Sequence, residues 1–156
     1  MNNKDVIQKF YQSFSDGNPE GMIDCYHNDI TFEDPAFGVL KGEKAKSMWK
    51  MLLSRKDAKP SINFSNVEAN EEMGKAHWVA EYNYGPKKRK VINKIDANFD
   101  FLDGKIINHK DDFNLWKWTQ QALGISGYLL GWSPFMKKQI QQKTNKLLTD
   151  YMKKNG

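Results

Sequence analysis

The chain has 156 residues and one cysteine, a length that fits one domain able to bury a hydrophobic core without disulfides or a structural metal. Its net charge of +5 lies after residue 132, where six lysines accompany one aspartate, while the rest of the chain is neutral. This distribution argues against a nucleic-acid-binding body and limits an electrostatic partner to the C-terminal part. The N-terminal residues lack a signal-peptide pattern and no apolar run is long enough to span a bilayer, which predicts a cytoplasmic protein.

The N-terminal third alternates between helix and strand signals. Apolar residues at helical spacing predict a helix over residues 3–14, with Asn3 as its N-cap, and a second helix over residues 19–27 that begins with a proline. A short alternating strand over residues 30–34 follows, and residues 41–55 carry the apolar stripe of a third helix. Three helices and one short strand are therefore expected before the main sheet.

From residue 61 the apolar residues change from helical spacing to alternation. Four strands are predicted, over residues 61–69, 75–84, 91–101 and 105–116, and they are joined by short turns. The third of these strands alternates most cleanly, with one face that is apolar except for an asparagine. Long strands joined by short turns predict an antiparallel meander.

After residue 116 the pattern returns to helices. A short helix is expected to end at Gly124, and Ser133 followed by Pro134 predicts the start of a long helix that runs to about residue 152. Four roles fit this lysine-rich tail: a lid over a cavity, an arm exchanged in a dimer, a helix on an anionic membrane surface, or a packed helix with a solvated face.

Asp34 is the best candidate in the sequence for a working acid or base. It follows Ile30 and Phe32 at a spacing of two, so all three share one strand face, and an acid on an apolar face is unexpected. Pro35 ends the strand and leaves the carboxylate at a rim or a cavity wall. Two interpretations stay open: a working acid or base in a cleft, or a side chain that caps the turn.

A second polar pair lies on the last predicted strand. His109 and Asp111 are two residues apart and share a face with Ile107 and Phe113. A neutral imidazole held by a carboxylate can take or give a proton near neutral pH, so the pair predicts acid–base chemistry if it meets Asp34 in one cavity. The alternative is a buried, hydrogen-bonded pair with a structural role.

No metal or cofactor site is predicted. The histidines at 27, 77 and 109 are scattered without ligand spacing, and no glycine-rich phosphate loop is present. Cys25 lies in an apolar helical pattern and is interpreted as a buried structural thiol.

Several short runs resemble the nuclear transport factor 2-like superfamily, in its branch of ketosteroid isomerases and polyketide cyclases. The runs are QKF at 8–10, DGN at 16–18, GMI at 21–23, CY at 25–26, DITFEDP at 29–35 and DGKII at 103–107. The resemblance covers residues 3–116. It implies an α+β fold in which a strongly curved antiparallel sheet forms a cone, with the N-terminal helices over its concave face and the tail helices added to it. It also implies a deep, mostly apolar pocket and a homodimer formed through the outer sheet face.

The resemblance gives roles to individual positions. Asp34 falls where ketosteroid isomerases keep their general base, and His109 with Asp111 is similar to the His-x-Asp of polyketide-cyclase-like relatives. Phe10 stands where those isomerases have the oxyanion tyrosine, and Tyr11 should lie about 100° further round the helix. The second oxyanion acid falls at residue 97 or 96, and the strand alternation favours Ala97. The oxyanion pair of steroid isomerases therefore has no counterpart here.

The expected pocket and domain layout follow from this reading. Residues 1–118 are expected to form the pocket domain, and residues 119–156 a helical tail packed on the same domain. The pocket is predicted to be lined by Phe10, Tyr26, Trp49, Trp78, Tyr82, Asn93 and Phe113. Asn93 could orient a ligand carbonyl or bond a neighbouring strand, and each aromatic residue also fits a core role.

Three functional hypotheses result. The first is an isomerase, cyclase or hydrolase that acts on a small apolar carbonyl or epoxide compound, with Asp34 as base and His109 with Asp111 as the acid or orienting pair. The second is a module that binds an apolar metabolite without turnover or assembles as a dimer. The third is docking on a membrane surface or a partner through the basic tail helix. No nucleic-acid partner is expected.

Overall fold

The computed structural model describes residues 1–55 and 59–155, which form one curved, open sheet with helices packed against it. The helices are α1 (Asn3–Ser15), α2 (Pro19–Ile23), α3 (Glu43–Leu53), α4 (Leu115–Leu123), α5 (Ile125–Leu130) and α6 (Pro134–Asn155). The strands are β1 (Tyr26–Asp34), β2 (Gly38–Lys41), β3 (Ser61–Ala69), β4 (Met73–Tyr84), β5 (Arg89–Leu102) and β6 (Lys105–Asp112). The predicted α+β class is confirmed.

The six strands follow the order β2-β1-β6-β5-β4-β3. Strands β3 to β6 form the predicted antiparallel meander, and β1 joins it through a parallel pairing with β6. This pairing sets Phe32 beside His109, while the antiparallel pairing of β5 with β6 sets Ala97 opposite Asp111. The chemically important residues of the first and last strands therefore meet in the middle of the sheet.

The inner face of the sheet is the hydrophobic core. Alternate residues of β5 are buried as the sequence predicted, and they are Val91, Asn93, Ile95, Ala97, Phe99 and Phe101. Helix α1 packs against β3 and β4, and α3 packs against β1 and β2. Both helices contribute large side chains that are almost completely buried, among them Phe10, Tyr11 and Trp49. Aromatic rings from the helices and from the sheet thus fill the concave side.

Several predicted boundaries were wrong, each for a local reason. Asn2 rather than Asn3 caps α1, because the Asn2 side chain accepts the Asp5 N–H and the Asp5 carboxylate accepts the Asn2 N–H in return. Helix α2 stops at Ile23 instead of continuing to residue 27, and β1 already begins at Tyr26. Strand β2, which pairs with β1, was not predicted, so α3 begins at Glu43 and not at residue 41.

The last strand also departs from the prediction. It ends at Asp112, because Asn114 caps α4 by accepting the Lys117 N–H at 3.0 Å. The pairing of β5 with β6 shifts between Asp100 and Phe101, so Ile106 is buried and Ile107 is not, contrary to the predicted face. The shift leaves His109 and Asp111 facing inward as expected.

The C-terminal helices return to the body of the protein. Ser133 caps α6 by accepting the Met136 N–H at 3.1 Å, and Pro134 occupies the first helical position, as predicted. Helix α6 packs against α3 and buries Leu148 in the core, while the neighbouring Leu147 is exposed. Helix α4 packs against β5 and α5.

Candidate functional site

Asp34 stands at the end of β1 and is partly buried. Its Oδ1 atom accepts the backbone N–H of Ala36 at 2.9 Å and that of Phe37 at 2.6 Å, so the side chain caps the turn that Pro35 begins. Burial raises the pKa of Asp34 from 3.8 to about 7 against the lowering effect of these two N–H groups, and the charges of Asp111 and Glu33 add to the rise. The residue is therefore both a turn cap and an acid that titrates near neutrality.

The turn after Asp34 is held from the outside by α6. Gln141 donates to the carbonyl oxygen of Pro35 at 3.0 Å, Thr144 donates to that of Ala36 at 2.8 Å, and Asn145 donates to that of Phe37 at 2.8 Å. Three consecutive carbonyl groups thus find partners on one helix. The tail thereby fixes the backbone that presents the Asp34 carboxylate.

His109 and Asp111 form the centre of a buried hydrogen-bond chain. His109 Nε2 lies 2.9 Å from Asp111 Oδ1, and His109 Nδ1 lies 2.8 Å from the hydroxyl oxygen of Tyr26. The indole N–H of Trp49 donates to the same Tyr26 oxygen at 2.9 Å. With a proton on Nε2, every donor in the chain meets an acceptor, because His109 donates to Asp111 and accepts from Tyr26. Burial raises the pKa of Tyr26, which keeps its hydroxyl protonated as a donor.

Aromatic rings enclose the imidazole. The ring centroids of Phe10, Phe32, Trp49 and Phe99 lie between 4.5 and 6.2 Å from that of His109. The residue is only 1% exposed. A ligand can therefore contact the imidazole only if at least one of these rings moves, whereas Asp34 can be reached at the rim.

The structure places eight of the ten predicted site residues in two zones. The inner zone holds the hydrogen-bond chain and its surroundings, namely His109, Asp111, Tyr26, Trp49, Phe10 and Trp78. Trp78 belongs to it because its indole N–H points at Asp111 Oδ1 from 3.4 Å. In the outer zone, burial raises the pKa of the half-buried Tyr82 and the charge of Asp34 adds to the rise, while Tyr82 accepts the indole N–H of Trp118 at 2.7 Å.

Two predicted pocket residues make weaker links to either zone. Asn93 is buried on the inner face of β5 opposite Ala80, and Phe113 follows the end of β6 and is half-buried. Both lie on the side of the sheet that the sequence predicted. Their contact with a ligand stays a prediction.

Tyr11, which the sequence comparison did not equate with the oxyanion tyrosine because it lies one residue later, is a further functional candidate. Its ring is completely buried among Phe64, Trp78 and Phe99, yet its hydroxyl makes no hydrogen bond within the described ranges 1–55 and 59–155. Burial raises the pKa of Tyr11, and the charge of Asp111 raises it further. Such a hydroxyl costs about 1–3 kcal/mol unless a polar atom meets it. Its position on the buried stripe of α1, four residues after Ile7, was the available signal.

The positions that correspond to the oxyanion residues of the isomerases carry apolar side chains on the inner face. Phe10 is completely buried, and Ala97 is buried opposite Asp111. Asp96 lies on the outer face, where its carboxylate is 2.9 Å from His77 Nδ1. The strand alternation thus assigned the inner position to residue 97.

Neither of two surface clefts in the described part of the chain is lined by Asp34 or His109. One open cleft of about 590 Å³ is lined by Lys87, Arg89, Lys90, Gln120 and Gln121. Another, of about 290 Å³, lies between α2, β1 and α3. Within residues 1–55 and 59–155, no three His, Cys, Asp or Glu side chains could jointly hold a metal ion. Cys25 is buried, and burial raises the pKa of its thiol to about 11, which fits a structural role.

The fold and the inner-face residues define a member of the nuclear transport factor 2-like superfamily. The family model of the SnoaL-like domain matches residues 7–109, and the chain belongs to this family. No curated protein matches the sequence significantly.

Solved structures with this fold are similar across most of the chain. A protein from Catenulispora acidiphila with a ketosteroid isomerase-like fold, in complex with trimethylamine, has a TM-score of 0.66 at 15% identity and covers 83% of this chain and 97% of its own. An epoxide hydrolase from M. tuberculosis has a TM-score of 0.65 at 13% identity, covering 81% and 94%. A proposed polyketide cyclase from Xanthomonas campestris has a TM-score of 0.64 at 19% identity, covering 76% and 95%. At these identities the likeness shows the fold.

Proposed function

We propose that this protein is an enzyme that transfers a proton on a small apolar carbonyl or epoxide compound, as an isomerase, cyclase or hydrolase. The observation that carries the proposal is the state of Asp34, a half-buried residue at the end of β1 whose carboxyl group has a pKa of about 7. General acid–base catalysis is most efficient when the pKa of the group lies near the working pH. An aspartate in water, with a pKa near 4, would not meet this condition.

The geometry supports Asp34 as the proton-transfer group. Its Oδ1 atom already accepts two backbone N–H groups, while Oδ2 has no partner among the described residues. A ligand at the rim would therefore meet Oδ2. The three carbonyl groups of the turn are bound by α6, so the carboxylate is held in one orientation.

The inner zone contains groups that could bind the substrate oxygen and exchange a second proton. When an aromatic ring moves aside, the Tyr11 hydroxyl can donate to a carbonyl or epoxide oxygen and thereby satisfy its own hydrogen bond. His109, held by Asp111, can exchange the second proton once its hydrogen bond from the Tyr26 hydroxyl is broken. Cyclase and epoxide hydrolase functions appear in the descriptions of structural neighbours, and here they support the chemical class without fixing the reaction.

A second candidate function is ligand binding without turnover. It is favoured by the completed hydrogen-bond chain from Trp49 through Tyr26 to His109 and Asp111, because a chain without a free donor or acceptor needs no substrate to complete it. The homodimer through the outer sheet face is a further proposal, and it is compatible with both functions.

The test compares Asp34→Asn with Glu33→Gln on the wild-type background. The substrates are a small cyclic epoxide and a β,γ-unsaturated cyclic ketone, with binding measured by calorimetry and turnover by chromatography. We expect kcat of Asp34→Asn to fall by about 10²–10⁴-fold with binding retained, because the amide cannot take up the proton. Glu33→Gln should retain wild-type turnover, since Glu33 lies on the other strand face, and should lower the midpoint of the pH dependence only slightly, because its charge is the smallest of the causes that raise the Asp34 pKa.

The same assay decides between the two candidates. A wild-type rate whose pH dependence has a midpoint of about 7 supports Asp34 as the titrating group. Binding of both compounds without turnover by the wild type would overturn the enzymatic proposal and favour the binding module. Unchanged turnover in Asp34→Asn would overturn the assigned role of Asp34.

A further inference from the structure

The connection between α4 and α6 exposes an unusual amount of apolar surface. Six large side chains of this connection, which we call the apolar patch, are between 55% and 80% exposed: Ile125, Tyr128, Leu129, Leu130, Trp132 and Phe135. They lie within eleven consecutive residues, and the spacing of Ile125, Tyr128 and Leu129 puts these three on one face of α5. A contiguous exposed apolar surface of this kind marks an interaction site.

The patch is held in place by its small residues. Gly127 and Gly131 are the buried residues of this connection, and a Cβ atom at either one would collide with Thr119 of α4. Thr119 Oγ1 donates to the Trp116 carbonyl at 2.7 Å, and the Trp116 indole donates to the Tyr128 carbonyl at 3.0 Å. Because the glycine side of α5 packs inward, its large side chains must point outward. The exposure is therefore built into the packing of α4 against α5.

The charged residues of the segment that carries the patch have one sign. Residues 113–149 contain five lysines and no acidic residue. The Arg89 guanidinium lies beside Gly124 at the start of the patch, and its Nε donates to the Gln121 carbonyl at 2.8 Å. Arg89 also lines the open cleft with Lys87 and Lys90, although Lys90 pairs with Glu81 at 2.7 Å. Lys137 and Lys138 continue the basic surface at the other end of the patch.

We propose that the apolar patch docks this protein on the surface of an anionic lipid bilayer. Aromatic and aliphatic side chains between basic residues are the pattern of segments that enter the boundary between headgroups and acyl chains. Trp132 and Phe135 would insert there, while Lys137, Lys138 and the Arg89 cleft would contact lipid phosphates. No helix among the described residues is long and apolar enough to cross a bilayer.

Charge complementarity favours a bilayer over a second copy of this chain. A dimer formed through the patch would bring two lysine-rich surfaces together, and like charges across an interface oppose association. An anionic bilayer supplies both an apolar layer and negative phosphates. The proposal is independent of Asp34 and of any reaction at the candidate site.

Vesicle flotation of the full chain tests the proposal, with vesicles of phosphatidylcholine alone and of phosphatidylcholine mixed with phosphatidylserine. We expect the wild type to float with the anionic vesicles and much less with the neutral ones. The double variant Trp132→Ser with Phe135→Ser should lose binding by on the order of tenfold or more, because two inserted rings are removed. Its matched control is Met73→Ser with Leu102→Ser, two exposed apolar residues outside the patch, which should bind like the wild type.

A second pair of variants separates charge near the patch from charge elsewhere. Lys137→Glu with Lys138→Glu should weaken binding by at least about tenfold, since each basic residue at the bilayer surface contributes about fivefold. Lys153→Glu with Lys154→Glu, the same charge change at the far end of α6, should have a smaller effect. Equal losses from both pairs would contradict docking through the patch.

Two results would overturn the proposal outright. One is wild-type protein that does not float with anionic vesicles at low salt. The other is a dimer in sedimentation equilibrium that Trp132→Ser dissociates, which would make the patch an interface between copies. Quenching of wild-type tryptophan fluorescence by brominated lipids supplies a check that needs no variant: its absence in flotation-positive samples also contradicts insertion of Trp132.

Discussion

Asp34 and Asp111 lie close enough for the charge of one to affect the other, yet they stand in different surroundings. Asp111 is almost completely buried, and its Oδ1 atom faces the imidazole of His109 and the indole of Trp78. Asp34 is partly exposed, accepts only two backbone N–H groups on one oxygen, and has a raised pKa. The Asp111 carboxylate thus faces two side-chain donors, whereas the Asp34 carboxylate is bound only by backbone N–H groups.

The difference predicts a role in stability for Asp111 and a role in proton transfer for Asp34. A carboxylate whose donors are fixed contributes stability, because removing it leaves those donors buried without partners. A carboxylate that burial destabilises in its charged form exchanges protons near neutral pH. We therefore expect changes at Asp111 to act mainly on folding and changes at Asp34 to act mainly on pH dependence and turnover. Four experiments test this contrast.

The largest effect is expected from Asp111→Ala. The substitution leaves the His109 Nε2–H and the Trp78 indole N–H buried without an acceptor, and we expect the free energy of unfolding to fall by about 4 kcal/mol. Urea unfolding followed by circular dichroism measures it. Asp112→Ala, at the exposed neighbouring position, should cost no more than about 0.5 kcal/mol. A loss below about 1 kcal/mol at Asp111 would show that water satisfies the donors.

The second effect is the pH dependence of stability, measured as the wild-type unfolding free energy minus that of Asp34→Asn. The folded protein binds the Asp34 proton more tightly than the unfolded chain does, so this difference should be highest below about pH 4 and decline until about pH 7. The expected decline is about 3 kcal/mol, slightly less than the full shift implies, because Asp34 is partly exposed. The asparagine still caps the turn through its side-chain oxygen. A difference that is flat or rises with pH would contradict the raised pKa.

Tyr26→Phe should have an intermediate effect. The lost hydroxyl leaves the Trp49 indole N–H without an acceptor and His109 Nδ1 without a donor, which we expect to cost about 2 kcal/mol. Tyr84→Phe serves as control, because the Tyr84 ring is half-buried and packs edge-on against Trp118. Both are measured by urea unfolding. Equal stabilities for the two variants would argue that the chain from Trp49 to Asp111 contributes little.

The smallest effect is expected at the helix that holds the Asp34 turn. Asn145→Ala removes the donor to the Phe37 carbonyl and should lower the unfolding free energy by about 1 kcal/mol, or Tm by about 2–4 °C. Lys146→Ala, the exposed neighbour, should leave Tm unchanged within error. Thermal unfolding by calorimetry measures both. No difference between the two would mean that the contact of α6 with the turn does not stabilise the fold.

Local periodicity predicted the parts of the fold that depend on one strand or one helix at a time. The alternation of β5 identified its buried face, and the spacing around Asp34 and His109 placed both on the inner side. Strand β2 was not predicted, because four residues are too few to show an alternating pattern. The strand also depends on its pairing with β1. The burial of Ile106 in place of Ile107 depends on a shift in register against β5, which no local pattern shows.

The same limit applies to the candidate site. The side chains of Asp34, His109 and Asp111 could be named because residue type and strand face were enough. Their partners could not, since Tyr26 and His109 are 83 residues apart and Asn145 reaches Phe37 across 108 residues. The unsatisfied hydroxyl of Tyr11 likewise emerges only from the packing of rings from four separate elements.

The parallel pairing of β1 with β6 also constrains the order of folding. The first strand finds this neighbour only after nearly all of the meander has been synthesised, because β6 ends at Asp112. Contacts between such distant parts of a chain form slowly, since a large loop must close first. Until then β1 and β2 have an unpaired edge, and Tyr26 and Asp34 remain apart from His109 and Asp111. Assembly of the candidate site is thus among the last events as the newly made chain matures.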